Sequence, residues 1–140
     1  MNKASLFQFP YPKINLIFAG IILCIFIYSG IFSPEKANHP IPSGYTLLTG
    51  KPTKSTGLSR AFSAIMQLEF NKALSYNEES LKVFSFFIVQ LLFRFLFTLI
   101  YARWQYRRVI RADIILSILL FIYCFKGFIP VWWNAFIKKL

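Results

Sequence analysis

The chain has 140 residues, 56% of them apolar and 17 of them phenylalanine, with a mean hydropathy of +0.54, well outside the usual soluble range. Its 16 Lys and Arg against 5 Asp and Glu give a formal charge of +11, but most of these residues flank apolar runs and no nucleic-acid-binding motif occurs, so no nucleic-acid partner is expected. Cys24 and Cys124 both lie inside apolar runs and His39 stands alone, which excludes a disulfide framework or zinc spacing and gives no reason to expect a metal or cofactor.

The predicted elements, in chain order, make an all-α membrane protein formed as a single domain over 1–140. Lys3 and Lys13 precede an apolar run too long for a signal peptide and without a small-x-small cleavage site, so an uncleaved anchor helix is expected. That first span covers Ile14 to Phe32, with Asn15 near its start. "SPEKANHPIPSGY" follows, where Pro34, Pro40 and Pro42 favour extended chain. An amphipathic helix is predicted over 57–74, capped by Thr56. Leu58, Phe62, Ile65 and Leu68 lie along one side of it; Arg60, Ser63, Gln67 and Asn71 lie along the other. It is too polar to cross a bilayer, which places it in the interface, with Arg60 and Lys72 near headgroups or a Glu69–Lys72 pair closed on itself. Ser75 or Asn77 in "SYNEES" then caps the next helix. The second span, Val83 to Ala102, is interrupted by Gln90 and Arg94; the third, Ile114 to Trp133, contains Lys126 and Pro130. Each span is about 20 residues, enough for a hydrocarbon core of roughly 30 Å.

"ARWQYRRVIRAD" reads as a tight turn carrying Arg103, Arg107, Arg108 and Arg111. That density marks the cytoplasmic side. The N-terminus is then inside, residues 33–82 and the C-terminus are outside, and a bacterial inner membrane is the expected location. Lys51, Lys54, Lys72, Lys138 and Lys139 oppose this orientation mildly. Trp132 and Trp133 read as an interfacial aromatic belt.

Arg94 is the sharpest single signal. It falls near mid-membrane, where an arginine costs roughly 2.5–3.5 kcal/mol on insertion scales. Gln90, Thr98 and Tyr101 share its helix face, a polar stripe expected to turn away from lipid. None of the predicted spans supplies an acid. Arg94 is therefore expected to be met by Gln90 and backbone carbonyls, by an acidic group on another subunit, or by a lipid phosphate. On that reading Arg94→Leu should insert at least as well as the natural chain.

No catalytic set assembles. "GYTLLTGKP" has the wrong spacing for a phosphate-binding loop, with Pro52 where a magnesium-binding hydroxyl belongs. Glu78 and Glu79 are adjacent and diverge on a helix, as solvated loop charges do.

Thr53-Lys54-Ser55-Thr56-Gly57-Leu58-Ser59-Arg60-Ala61, with "NKALSYNEESLKV" downstream, resembles a family of small bacterial integral membrane proteins of unassigned function. That family is marked by an outer-loop Cys-Pro-x-Cys-Gly-x-Thr-Arg motif, a short amphipathic helix, and Asn-Pro leading into a span. Thr53 and Thr56 stand where the family has cysteines, so any metal or redox role of those thiols is absent. Gly57, Arg60 and Asn77 are kept, and Glu78 replaces the proline. The resemblance implies fold and topology, with Gly57 as a turn, and no chemistry.

Two functions are expected. One is a non-catalytic accessory or scaffold subunit of a membrane assembly, in contact with lipids and with other subunits or copies of itself. The other is a lipid- or small-solute-handling protein, or an oligomeric enzyme, in which Arg60 and Arg94 meet an anionic group. Arg94, Gln90, Thr98, Arg60 and Gly57 are the candidate functional residues in either case.

Overall fold

The computed structural model describes residues 9–35, 54–104 and 107–128. Thr53, most of the proline-rich segment, the 44–52 stretch, the two tryptophans and the lysines at the ends of the chain lie outside the described residues. Among the described residues there are five helices and no strand: α1 Pro10–Ile31, α2 Leu58–Met66, α3 Phe70–Tyr76, α4 Ser80–Trp104 and α5 Arg107–Phe125.

Two of these, α1 and α4, are long and apolar enough to cross a membrane. Their 22 and 25 residues correspond to about 33 and 37 Å at about 1.5 Å per residue. Pro10 sits at the start of α1, where its missing N–H costs nothing, and the chain leaves the helix at Phe32, just before Pro34. α5 begins seven residues before the predicted third span. It takes in Arg107, Arg108, Arg111 and Asp113, and its helix ends at Phe125 with a turn over 126–128. The basic segment is therefore mostly helical. Arg103 lies in the last turn of α4, and the other three arginines lie in the first two turns of α5.

The predicted helix over 57–74 is two helices. The chain turns over Gln67–Glu69, where Leu68 takes a left-handed φ of 63°. The expected faces shift accordingly. Ser63, placed on the polar side, is fully buried and bonds back to the Ser59 carbonyl at 3.3 Å. Leu68, placed on the apolar side, is 76% exposed. Nor does Thr56 cap α2: the residue before the helix is Gly57, at φ 87°, with no side-chain cap. Glu69 and Lys72 do pair, at 2.9 Å, and the carboxylate holds the Lys72 ammonium above its usual range.

α4 is the central element. α1 packs along one side and α5 along the other, while α1 and α5 barely meet. α2 and α3 lie against one another and cover the start of α4 and the end of α1. There Ala61, Ala64 and Ala73, none with any exposed surface, let the backbones approach, and Phe62, Ile65, Val83, Phe84 and Phe128 fill the core. Phe62 and Phe26 meet Phe84 with ring centroids 5.1 and 5.2 Å apart. Phe86 meets Phe125 edge-on at 5.2 Å, joining α4 to α5.

Outside this core the burial pattern is inverted. The largest fully buried side chains are Asn15, Asp113, Pro12 and Pro34, followed by Ser29, Ser63 and Ser80, whereas Ile17, Phe18, Ile27, Leu92, Leu99, Ile118 and Leu119 are each at least half exposed. A water-soluble helix packs its leucines inward and turns its polar residues out. Cys24 is exposed and Cys124 buried, and both are free.

Candidate functional site

Arg94 ties the three long helices together. On α4 it stands one turn after Gln90 and one turn before Thr98. Its Nη2 donates to Asp113 Oδ1 at 2.5 Å, to Ser117 Oγ at 2.9 Å and to Gln90 Oε1 at 3.2 Å. Its Nη1 donates to Asn15 Oδ1, on α1, at 2.8 Å. The Tyr11 hydroxyl donates to the other carboxylate oxygen of Asp113 at 2.6 Å, so α1 reaches both members of the ion pair. Ser117 lies within 3.2 Å of Asp113 Oδ1 as well. The Thr98 hydroxyl donates to the Arg94 carbonyl at 2.6 Å, keeping that group satisfied on the buried side. Tyr101 closes the stripe with its ring 5.0 Å from that of Tyr11.

The expected stripe of Gln90, Arg94, Thr98 and Tyr101 thus forms and faces inward. The expectation that no helix offers an acid is overturned. Asp113 lies one residue before the predicted start of the third span, and the earlier start of α5 brings it inside the bundle. The side chains of Arg94 and Asp113 are 12% and 2% exposed, and Asn15 is fully buried. At this depth the pair is neutral overall. An isolated charge in such a place is strongly unfavourable, and removing one partner of a buried pair typically costs about 3–5 kcal/mol. Two donors in the cluster, Arg94 Nε and Asn15 Nδ2, have no partner among the described residues.

A cleft of about 540 Å³ opens beside this cluster, between α1 and α5. Phe18, Ile21, Ile114, Ile118 and Phe121 form its walls, and Gln90, Arg94, Asp113 and Ser117 lie at its floor.

The remaining candidates form a separate knot at the other end of the bundle. Arg60 donates through Nε to the Pro34 carbonyl at 2.8 Å and lies 4.1 Å from the centre of the Tyr76 ring. The Asn77 amide donates to the carbonyls of Lys54 and Thr56 at 2.8 and 3.0 Å, and its oxygen accepts from the Glu79 N–H at 3.0 Å, closing the turn that leads into α4. Gly57 sits on the Tyr76 carbonyl so closely that a Cβ would collide with it. Lys54 reaches the Gly127 carbonyl at 2.5 Å and so ties this loop to the end of α5. Glu79, expected to be a solvated charge, is largely covered, pairs with Lys82 at 2.7 Å and packs on Gly127.

Both candidate arginines are therefore engaged, Arg94 between the three long helices and Arg60 at the end covered by α2 and α3. Sequence reasoning missed Asp113, Asn15, Tyr11 and Ser117. Counting outward from the arginine-rich segment gives the signal for two of them. Arg94 is ten residues before the end of α4, and Ser117 is ten after the start of α5, so the two share a depth in a helical hairpin. Asp113 lies one turn away on the same face of α5. Against protein-family models, curated proteins and solved structures, the chain finds no match.

Proposed function

We propose that this chain is an integral membrane protein with three spans, acting as a non-catalytic accessory or scaffold subunit of a larger membrane assembly. α1, α4 and α5 form the spans; α2 and α3 lie at the outer interface. The Arg103–Arg111 end faces the cytoplasm, most simply of a bacterial inner membrane. The inverted burial supports the membrane reading, because lipid accepts exposed Ile, Leu and Phe while polar groups must find partners inside. α5 is charged over its first two turns, yet its later face of Ile114, Ile115, Ile118, Leu119 and Ile122 is as exposed as that of α1.

The observation that carries the subunit reading is the occupation of both candidate arginines. Arg94 is neutralised by Asp113 and clamps three helices; Arg60 is held by a carbonyl and an aromatic ring. This favours a structural role for both over the capture of an anionic substrate. What the molecule then presents outward is broad apolar helix surface, suited to lipid, to other subunits or to another copy. The Gly57, Arg60 and Asn77 knot supports kinship with the motif-bearing small membrane proteins, since each of the three shared residues has a positional task that does not involve the missing cysteines.

Purification in a mild detergent followed by native mass spectrometry tests this. Protein partners in fixed stoichiometry, or a defined homo-oligomer, are expected. A monomer carrying an anionic solute or lipid that is lost with Arg94→Lys would favour the anion-handling alternative.

A further inference from the structure

Arg107 and Arg111 lie on the exposed surface of α5, and no hydrogen bond or ion pair engages either among the described residues. Their place on the helix is specific. Arg111 is three residues from Ile114 and seven from Ile118, and Arg107 is seven from Ile114. Both therefore continue the same face of α5 that walls the cleft, one to two turns nearer the basic end. Arg103 and Arg108 are equally exposed but fall outside that alignment. The arginines also stand at the wrong end of α5 for its own stability, because the helix dipole disfavours cations at an N-terminus. An anion bound there would be favoured by both the guanidinium groups and the dipole.

We propose that the cleft between α1 and α5 is a binding site for one anionic phospholipid. Its phosphate is held by Arg107 and Arg111, and one acyl chain lies between Phe18, Ile21, Ile118 and Phe121. The dimensions agree. Arg107 to Phe121 is 14 residues of helix, about 21 Å, and one leaflet including its headgroups is roughly 20–22 Å thick. A cleft of about 540 Å³ is also within the roughly 300–1,000 Å³ of small-molecule sites. The acyl chain covers the floor of the cleft and shields the Arg94–Asp113 pair, which stays closed and contributes no charge to the headgroup. This proposal rests on the membrane reading but not on the subunit role.

The test uses the full chain, delipidated in detergent, with thermal unfolding and native mass spectrometry as readouts. The probes are dioleoyl phosphatidylglycerol, dioleoyl phosphatidylcholine and inorganic phosphate. The expected result is one phosphatidylglycerol per chain, bound roughly thirtyfold more tightly than phosphatidylcholine, taking about 1 kcal/mol for each arginine and 1.4 kcal/mol per tenfold. Arg107→Gln with Arg111→Gln should abolish the preference. Arg103→Gln with Arg108→Gln removes the same charge from other faces and should keep it. Ile118→Trp, which fills the cleft, should weaken binding of both lipids. Equal affinity for the two lipids, equal loss in both arginine pairs, or the same stabilisation by inorganic phosphate alone would each overturn the proposal. Release of the chain from membranes by alkaline carbonate without detergent would instead refute the membrane reading.

Discussion

Replacing Arg94 by leucine separates a clamp from a passenger. The substitution removes four side-chain hydrogen bonds at once and leaves Asp113, 2% exposed, without its counter-ion. Losing one member of a buried pair costs about 3–5 kcal/mol. Tyr11 and Ser117 still donate to the carboxylate, so the lower end, about 3 kcal/mol, is the better figure. At roughly 3–4 °C per kcal/mol for a chain of this size, the midpoint of thermal unfolding should fall by about 10 °C. This reverses the expectation from sequence, where the leucine variant inserts at least as well because no acid was in view. Replacing both residues, Arg94→Leu with Asp113→Leu, removes the stranded charge and should recover most of the loss, since apolar replacement of a whole buried pair is often neutral. The assay is a double-mutant cycle by thermal unfolding in one detergent. An Arg94→Leu protein as stable as the natural chain, or a double variant no better than the single, would refute the clamp.

Three further outcomes follow from the other end of the bundle. Gly57→Ala places a Cβ against the Tyr76 carbonyl in a left-handed backbone and should lower stability by about 1–3 kcal/mol, measured as a shift in the unfolding midpoint. Asn77→Ala loses three hydrogen bonds, at about 0.5–1.5 kcal/mol each, and limited proteolysis should then cut between α3 and α4 faster. Leu68→Gly relieves the left-handed strain at an exposed position and should stabilise the detergent-solubilised protein by about 1 kcal/mol; a loss of stability would mean that the leucine makes contacts worth more than the strain.

Much of the fold was legible because long apolar runs have few alternatives. Residues 14–32 and 83–102 fall within α1 and α4 apart from Phe32, which caps α1. The stripe of Gln90, Arg94 and Thr98 turned inward as helical spacing required. The break at Leu68 was not legible, because "QLEF" contains neither glycine nor proline and continues the apolar spacing; the turn is imposed by packing α3 against α2 and the start of α4. Asp113 was missed for a more instructive reason. Asp113 closes the charged run "ARWQYRRVIRAD", and a span begun at the first apolar residue after that run, Ile114, leaves the acid one position outside it. Pairing a buried charge requires depth to be compared across helices. Arg60 and Gly57 were read as interfacial and conformational, and the contact between Arg60 and the Tyr76 ring depends on a chain reversal that spacing alone does not specify.

We propose that α5 crosses the membrane with Asp113 held by Arg94. Single cysteines at Arg108 and Lys126, at the two ends of α5, can be introduced with Cys24 and Cys124 replaced by serine. Intact cells are then treated with a membrane-impermeant thiol reagent. The account predicts labelling of Lys126→Cys from outside and of Arg108→Cys only after permeabilisation, with the outside labelling of Lys126→Cys strongly reduced when Arg94→Leu is added. Equal accessibility of the two positions in intact cells, or outside labelling unaffected by Arg94→Leu, would contradict it.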